Sequence, residues 1–198
     1  MQEQRIHQHF IDSADLAYQW AEVLAHPIAA ATQALLACVT GGGKVLVCGD
    51  GASVALAQYG TALLVAGFQR PRPELPALAL GCDATTWGAL ARQGDGSDAL
   101  AAQVRALGGP GDVLLVLTAG GVAPGLRRAI EAAHERDMGV VALTGGANGL
   151  ERLLRDTDVP VCVPGDSAAH AREAHLLTLH GLCNELDRQL LGDEESIA

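Results

Sequence analysis

The chain is poor in aromatic residues, with two each of Trp, Tyr and Phe among 198 residues. It is also short of positive charge, with 13 Lys and Arg against 23 Asp and Glu and a net charge of −10. A protein that grips a nucleic-acid backbone needs a cationic face, so this balance argues against direct nucleic-acid binding. No apolar run reads as long enough to span a membrane, and the N-terminus "MQEQRIHQHF" lacks the apolar centre of a signal peptide. Paired cysteines are missing too. Cys38, Cys48, Cys82, Cys162 and Cys183 are odd in number, scattered and mostly inside apolar runs, which reads as reduced, buried thiols in a cytosolic protein. There is no internal repeat, linker or low-complexity segment.

What remains is aliphatic. Half the residues are apolar and mean hydropathy is +0.21, so the core must be built from Leu, Val and Ala. At this length one compact unit is expected, divided as an N-terminal helical segment over 1–40, suited to oligomerisation, and an α/β body over 41–198. Apolar residues at three- and four-residue spacing predict a helix over about 3–24. His26-Pro27 should break it, and a second helix should run over about 27–39, with Pro27 in its first turn. Next come "KVLVC", "PALAL", "DVLLVLT", "GVVALT" and "VPVCV". These are continuous apolar runs, as parallel strands buried on both faces require. Helices should lie between them, the clearest over Ser53–Ala66 and Pro124–Arg136, and a long one should close the chain over Ser167–Leu190. The fold class is α/β: a three-layer, flavodoxin-like sandwich on a five-stranded parallel sheet, with N-terminal helices and a long C-terminal helix. The acidic "GDEESIA" end reads as a solvated tail.

Open parallel sheets bind ligands at the carboxyl ends of their strands. Two loops there lead into helix N-termini, where free N–H groups and the helix dipole attract anions. The first is "CGDGAS", with Gly49, Asp50, Gly51 and Ser53; Ser53 can cap the helix or offer its hydroxyl to a phosphate. The second is "LTAGGVAPG", with Thr118, Gly120 and Gly121. Neither is a dinucleotide fingerprint, since Val54 stands where a third glycine is needed, and neither carries the Gly-Lys-Ser/Thr end of a P-loop. Asp83 and Thr85 suit a helix cap. His175 and His180 are five apart, about 140° around a helix, and cannot form an i, i+4 metal pair.

The segments "VCGDGAS", "RALGGPGDVLLVLTAGG", "RDMGVVALTGG" and "AREAHLLTLHGLCNELD" occur in an order that resembles the sugar isomerase (SIS) domain. Within it they resemble the phosphoheptose isomerases and their relative DiaA, the protein that associates with the replication initiator DnaA, with DiaA the nearer. The resemblance implies a sugar-phosphate pocket and a homotetramer. It also exposes departures. Asp50 stands in place of an asparagine. In the serine-rich phosphate loop only Thr118 keeps a hydroxyl, and each hydroxyl lost removes about 1.5–3 kcal/mol of charge-assisted hydrogen bonding. The positions of the family's catalytic and zinc-binding side chains hold Tyr59, Leu63, Arg172 and His180.

An aldose–ketose isomerisation needs a base beside the C–H bond it breaks, and leucine is not one. No catalytic residue, metal or cofactor is therefore expected. On this reading the chain is a cytoplasmic, non-catalytic, DiaA-like homotetramer that binds DnaA and promotes replication initiation, with a degraded sugar-phosphate pocket. Leu190 and Leu191, apolar at a polar helix end, are the candidate contact. Phe10, Leu16, Trp20 and a stripe of Leu176, Leu179, Leu182 and Leu186 are read as excess apolar surface for packing between subunits. The alternatives are an active phosphoheptose isomerase acting on sedoheptulose 7-phosphate and a sugar-phosphate sensor.

Overall fold

The structure is a computed structural model and describes residues 1–92, 96–146 and 148–192. Most of the acidic tail lies outside the described residues. The expected α/β sandwich is present. Strands β1 (Val45–Gly49), β2 (Ala77–Ala79), β3 (Val113–Thr118), β4 (Gly139–Gly145) and β5 (Val159–Val163) form one sheet in the order β2-β1-β3-β4-β5. Every pairing is parallel. β1 and β3 are buried at every residue, as continuous aliphatic runs in a doubly covered sheet must be.

Helices α1 (Gln2–Thr40), α2 (Ser53–Ala66) and α6 (Ala168–Leu191) cover one face. Their core contains Leu24, Leu35, Leu63, Leu179 and Leu186 against Val45, Leu115 and Leu143. Helices α4 (Ala99–Leu107) and α5 (Pro124–Glu135) cover the other, with Leu100, Val104, Leu126 and Ile130 against Leu46, Leu114 and Val140. The short α3 (Ala84–Ala91) buries none of its residues.

The N-terminus departs from expectation. One helix replaces two, with Pro27 inside it. An interior proline costs about 3 kcal/mol through its missing N–H and its clash with the preceding turn. Burial on both sides of the proline offsets this, since Trp20 and Leu24 before it and Ala31 and Leu35 after it join one core. α1 also contains an 18-residue window of mean hydropathy 1.5, long and apolar enough to cross a membrane by length and composition, contrary to the sequence reading. The apolar stripe on α6 is corrected as well. Leu179, Leu182 and Leu186 pack within their own chain, as does Trp20 on α1. The large apolar residues left exposed include Ile6, Phe10, Ile11 and Tyr18 on α1 and Leu177 on α6.

Two small residues bring α6 close. A Cβ on Gly60 of α2 would lie 3.0 Å from a Leu179 methyl, and one on Gly145 would lie 2.7 Å from Ala171 Cβ. A buried ion pair then pins α2 to α6. Arg72 Nε donates to Asp187 Oδ1 at 2.5 Å, and its other nitrogens donate to the carbonyls of Leu63 and Leu64 at 2.9 and 2.8 Å. These carbonyls belong to the last turn of α2, so one guanidinium caps one helix and neutralises a carboxylate on another. Both side chains are almost wholly buried.

Replacing Arg72 with Ala leaves Asp187 charged and unpaired in the interior. The expected cost in urea unfolding is about 3–5 kcal/mol, and the double change Arg72→Met with Asp187→Leu should recover most of it. A single-variant loss below about 1 kcal/mol would contradict the clamp.

Candidate functional site

The chain turns from β1 into α2 within four residues. Gly49 makes this possible: a Cβ there would sit 2.8 Å from the Ser53 backbone and 3.1 Å from the Leu117 carbonyl. Gly51 adopts φ +50, a conformation that favours glycine. The Ser53 N–H donates back to the Asp50 carbonyl at 2.9 Å. These constraints place Asp50 at the end of the sheet beside the strand that follows in space, β3. There its carboxylate accepts a hydrogen bond from Thr118 Oγ1 at 3.1 Å. Burial raises the pKa of Asp50 above its ordinary value, and hydrogen bonds from the Thr118 hydroxyl and the Ala123 N–H oppose that rise. Ala123 is the N-cap position of α5, so the carboxylate lies at the positive end of that helix.

A cavity of about 650 Å³ opens over this junction. Gly49, Asp50 and Gly51 form one wall, Ala123 to Leu126 another, and Leu80, Trp87 and Leu100 close the side toward α3 and α4. The starts of α2 and α5 thus share one cleft, as the two loops suggest. Leu117 lies in the α1/α2/α6 core and Val122 packs toward the opposite one, so neither fills it. A second cavity, of about 250 Å³, is lined by Gly120 and Gly121 with Gly145, Gly146 and Asp166.

The hydroxyls behave differently from expectation. Ala52, not Ser53, occupies the N-cap of α2, and no side chain caps that helix. Ser53 is the first helical residue, and its buried Oγ has no hydrogen-bond partner among the described residues. Thr118 spends its hydroxyl on Asp50. Asp83 does cap α3, accepting from the N–H groups of Thr85 and Thr86 at 3.0 and 3.2 Å.

The four positions aligned with the family's catalytic and metal-binding set form no comparable cluster. Tyr59 Oη and His180 Nε2 are hydrogen-bonded at 2.9 Å between α2 and α6. Phe68 stacks on the His180 ring at 4.8 Å. Leu63 is 8% exposed and belongs to the core. None of the four lines either cavity. These residues do not fit zinc: leucine and arginine supply no ligand, and the described residues contain no group of three His, Cys, Asp or Glu able to hold a metal ion. Leu190 is half-buried and Leu191 is 42% exposed, at the end of α6.

Sequence reasoning passed over Trp87 and noted His175 only to set it aside as a metal ligand. Trp87 lines the larger cavity, and only its rarity among so few aromatics could have flagged it. His175 is fully buried. The nearby hydroxyls of Thr144 and Thr178 have no hydrogen-bond partner among the described residues, and the polar group that faces the His175 ring is the Thr144 backbone. The His175 pKa falls to about 4. Burial lowers it first, the Thr144 backbone partly restores it, and the Arg172 charge lowers it again.

The parallel sheet, the glycine junction and the cleft at the strand ends define an open α/β domain with its cavity at the carboxyl ends of the strands. The chain belongs to the SIS domain family, whose model matches residues 8–145. It is 50% identical over 196 residues to the phosphoheptose isomerase of Methylibium petroleiphilum, covering 98% of each chain. Among solved structures it is similar to a phosphoheptose isomerase from Francisella tularensis (TM-score 0.90, 38% identity, 95% and 99% of the chains covered). It is likewise similar to phosphoheptose isomerase GmhA from Neisseria gonorrhoeae (TM-score 0.88, 35% identity, 94% and 99% covered). These matches overturn the reading as a non-catalytic initiator-binding protein. That reading weighed a few substituted side chains, whereas the identity to isomerases extends over the whole chain.

The buried imidazole makes a direct prediction. The unfolded chain protonates His175 near pH 6.5 and the folded chain only near pH 4. Between these values the unfolded state binds more protons, so stability falls as pH falls, by up to about 3 kcal/mol from this group. In an NMR titration the His175 ring should show no protonation above pH 5, and a normal midpoint near 6.5 would contradict its burial.

Proposed function

We propose that this chain is a phosphoheptose isomerase, interconverting sedoheptulose 7-phosphate and the corresponding aldose phosphate. The observation that carries the reading is the 50% identity, over 98% of both chains, to a protein named for that activity. The cleft is consistent with it, since two helix N-termini border one cavity of a size suited to a small phosphorylated sugar.

The reaction moves a proton between two adjacent carbons. Among the described lining residues of the larger cavity, Asp50 is the one carboxylate. The Thr118 hydroxyl donates to it and orients it. In this reading Asp50 takes the proton from the hydroxyl-bearing carbon and returns it to its neighbour, while the hydroxyl proton passes to the adjacent carbonyl oxygen through the enediol. The Tyr59–His180 pair lies outside that cavity in its own chain and acts on a bound sugar only as part of a neighbouring subunit. Exposed Ile6, Phe10, Ile11 and Tyr18 on the first half of α1 support self-association, and we take the working form as a cytoplasmic homotetramer.

A second reading, a sugar-phosphate sensor without turnover, is favoured by one observation. Leu63 occupies the aligned base position and lies in the core.

Purified protein should convert sedoheptulose 7-phosphate in the presence of a chelator. Asp50→Asn should lower kcat by about 10²–10⁴. Activity should fall on the acid side as Asp50 protonates, at a pH above the ordinary aspartate value. Binding of the sugar phosphate without turnover would favour the sensor, and neither binding nor turnover would refute both readings. Light scattering should give four times the chain mass of 20.4 kDa; a monomer would refute the assembly.

A further inference from the structure

Trp87 is oddly placed for a chain so short of aromatics. It sits on α3, which buries none of its residues, and its side chain forms part of the wall of the 650 Å³ cavity. It remains 38% exposed, while the other tryptophan, Trp20, is 4% exposed in the core. The indole packs over Gly81, where a Cβ would lie 3.5 Å from its ring and 3.1 Å from a Leu100 methyl. Gly81 holds φ +74, so the backbone under the ring is glycine-specific and leaves the ring room. α3 itself is anchored at its start by the Asp83 cap, which fixes where Trp87 emerges.

An indole face borders a cavity whose polar groups sit on another wall, at Asp50 and the start of α5. A sugar presents both kinds of surface: a face of C–H groups that packs on an aromatic ring, and hydroxyls that seek a carboxylate. We infer that Trp87 is a specificity-determining residue of the cavity. It packs against the C–H face of a phosphorylated sugar while Asp50 accepts hydrogen bonds from that sugar's hydroxyls. Ligand binding then buries the exposed indole. The inference rests on the sugar-phosphate reading of the cleft and adds the residue that selects the carbohydrate part.

The test titrates sedoheptulose 7-phosphate into the full chain by calorimetry and follows tryptophan fluorescence with acrylamide as quencher. Trp87→Ala should weaken binding about tenfold, and Trp87→Phe should restore it to within about twofold. In the wild-type chain the ligand should protect the exposed tryptophan from acrylamide, and this protection should vanish in Trp87→Ala. The fluorescence measurement uses the unmodified protein, so it stands even where the alanine variant folds poorly. Equal affinity in both variants, or unchanged quenching on saturation of the wild type, overturns the assignment and leaves the sugar-phosphate reading intact. No binding by the wild type overturns both.

Discussion

The close landing of α2 on the end of β1 is the constraint on which the site depends. It exists because Gly49 has no side chain where the Ser53 backbone and the Leu117 carbonyl converge. With any larger residue, helix and strand would separate. Asp50 would then leave the Thr118 hydroxyl, and the starts of α2 and α5 would no longer border one cavity. The carboxylate at this junction ties β1 to β3 at the carboxyl end of the sheet, beside the Asp50 N–H, which donates to the Leu117 carbonyl at 3.3 Å. It is both a structural tie and the cavity's charged group.

A second set of contacts works at the far end of α2. Arg72 occupies the last-turn carbonyls of that helix and pairs with Asp187 on α6. Gly60 and Gly145 let α6 approach α2 and β4 closely enough for the pair to close. The loop that carries Arg72 also carries Phe68, which stacks on His180. The loop after α2 thus touches α6 at two points, through Phe68 at His180 and through Arg72 at Asp187. Buried polar atoms remain on β4 and α6. The hydroxyls of Thr144 and Thr178 have no partners among the described residues, which is costly inside an aliphatic core.

Relatives and side chains carry different weights in assigning function. Identity spread over the whole chain reports a shared fold and shared loop positions. Substitutions at Tyr59, Leu63 and Arg172 report the chemistry at single points. Leu63 shows how such a point is absorbed: its methyl groups join the α1/α2/α6 core. Asp50, in contrast, introduces a charge where the cavity opens. The chain thus lacks a carboxylate at one point of the scaffold and carries one at another, beside the larger cavity.

Much of this molecule was determined by local sequence. Five continuous aliphatic runs separated by glycine turns point to parallel strands, and the inner ones, β1, β3 and β4, are buried on both faces as that pattern requires. The two glycine loops had to lie at the same edge, since parallel strands end together. The Asp83 cap followed from its place before a short helix. Other features depended on contacts between residues far apart in the chain. Pro27 signals a helix end locally, yet the helix continues because burial on both sides of it outweighs the strain. The leucine stripe on α6 carries no mark of which surface will cover it, and the sheet of the same chain does. Arg72 and Asp187 are 115 residues apart, and only the fold brings them together. Trp87 and Asp50 came to share a cavity in the same way. Periodicity records which face of an element is buried, while the partner that buries it is set by how the elements pack.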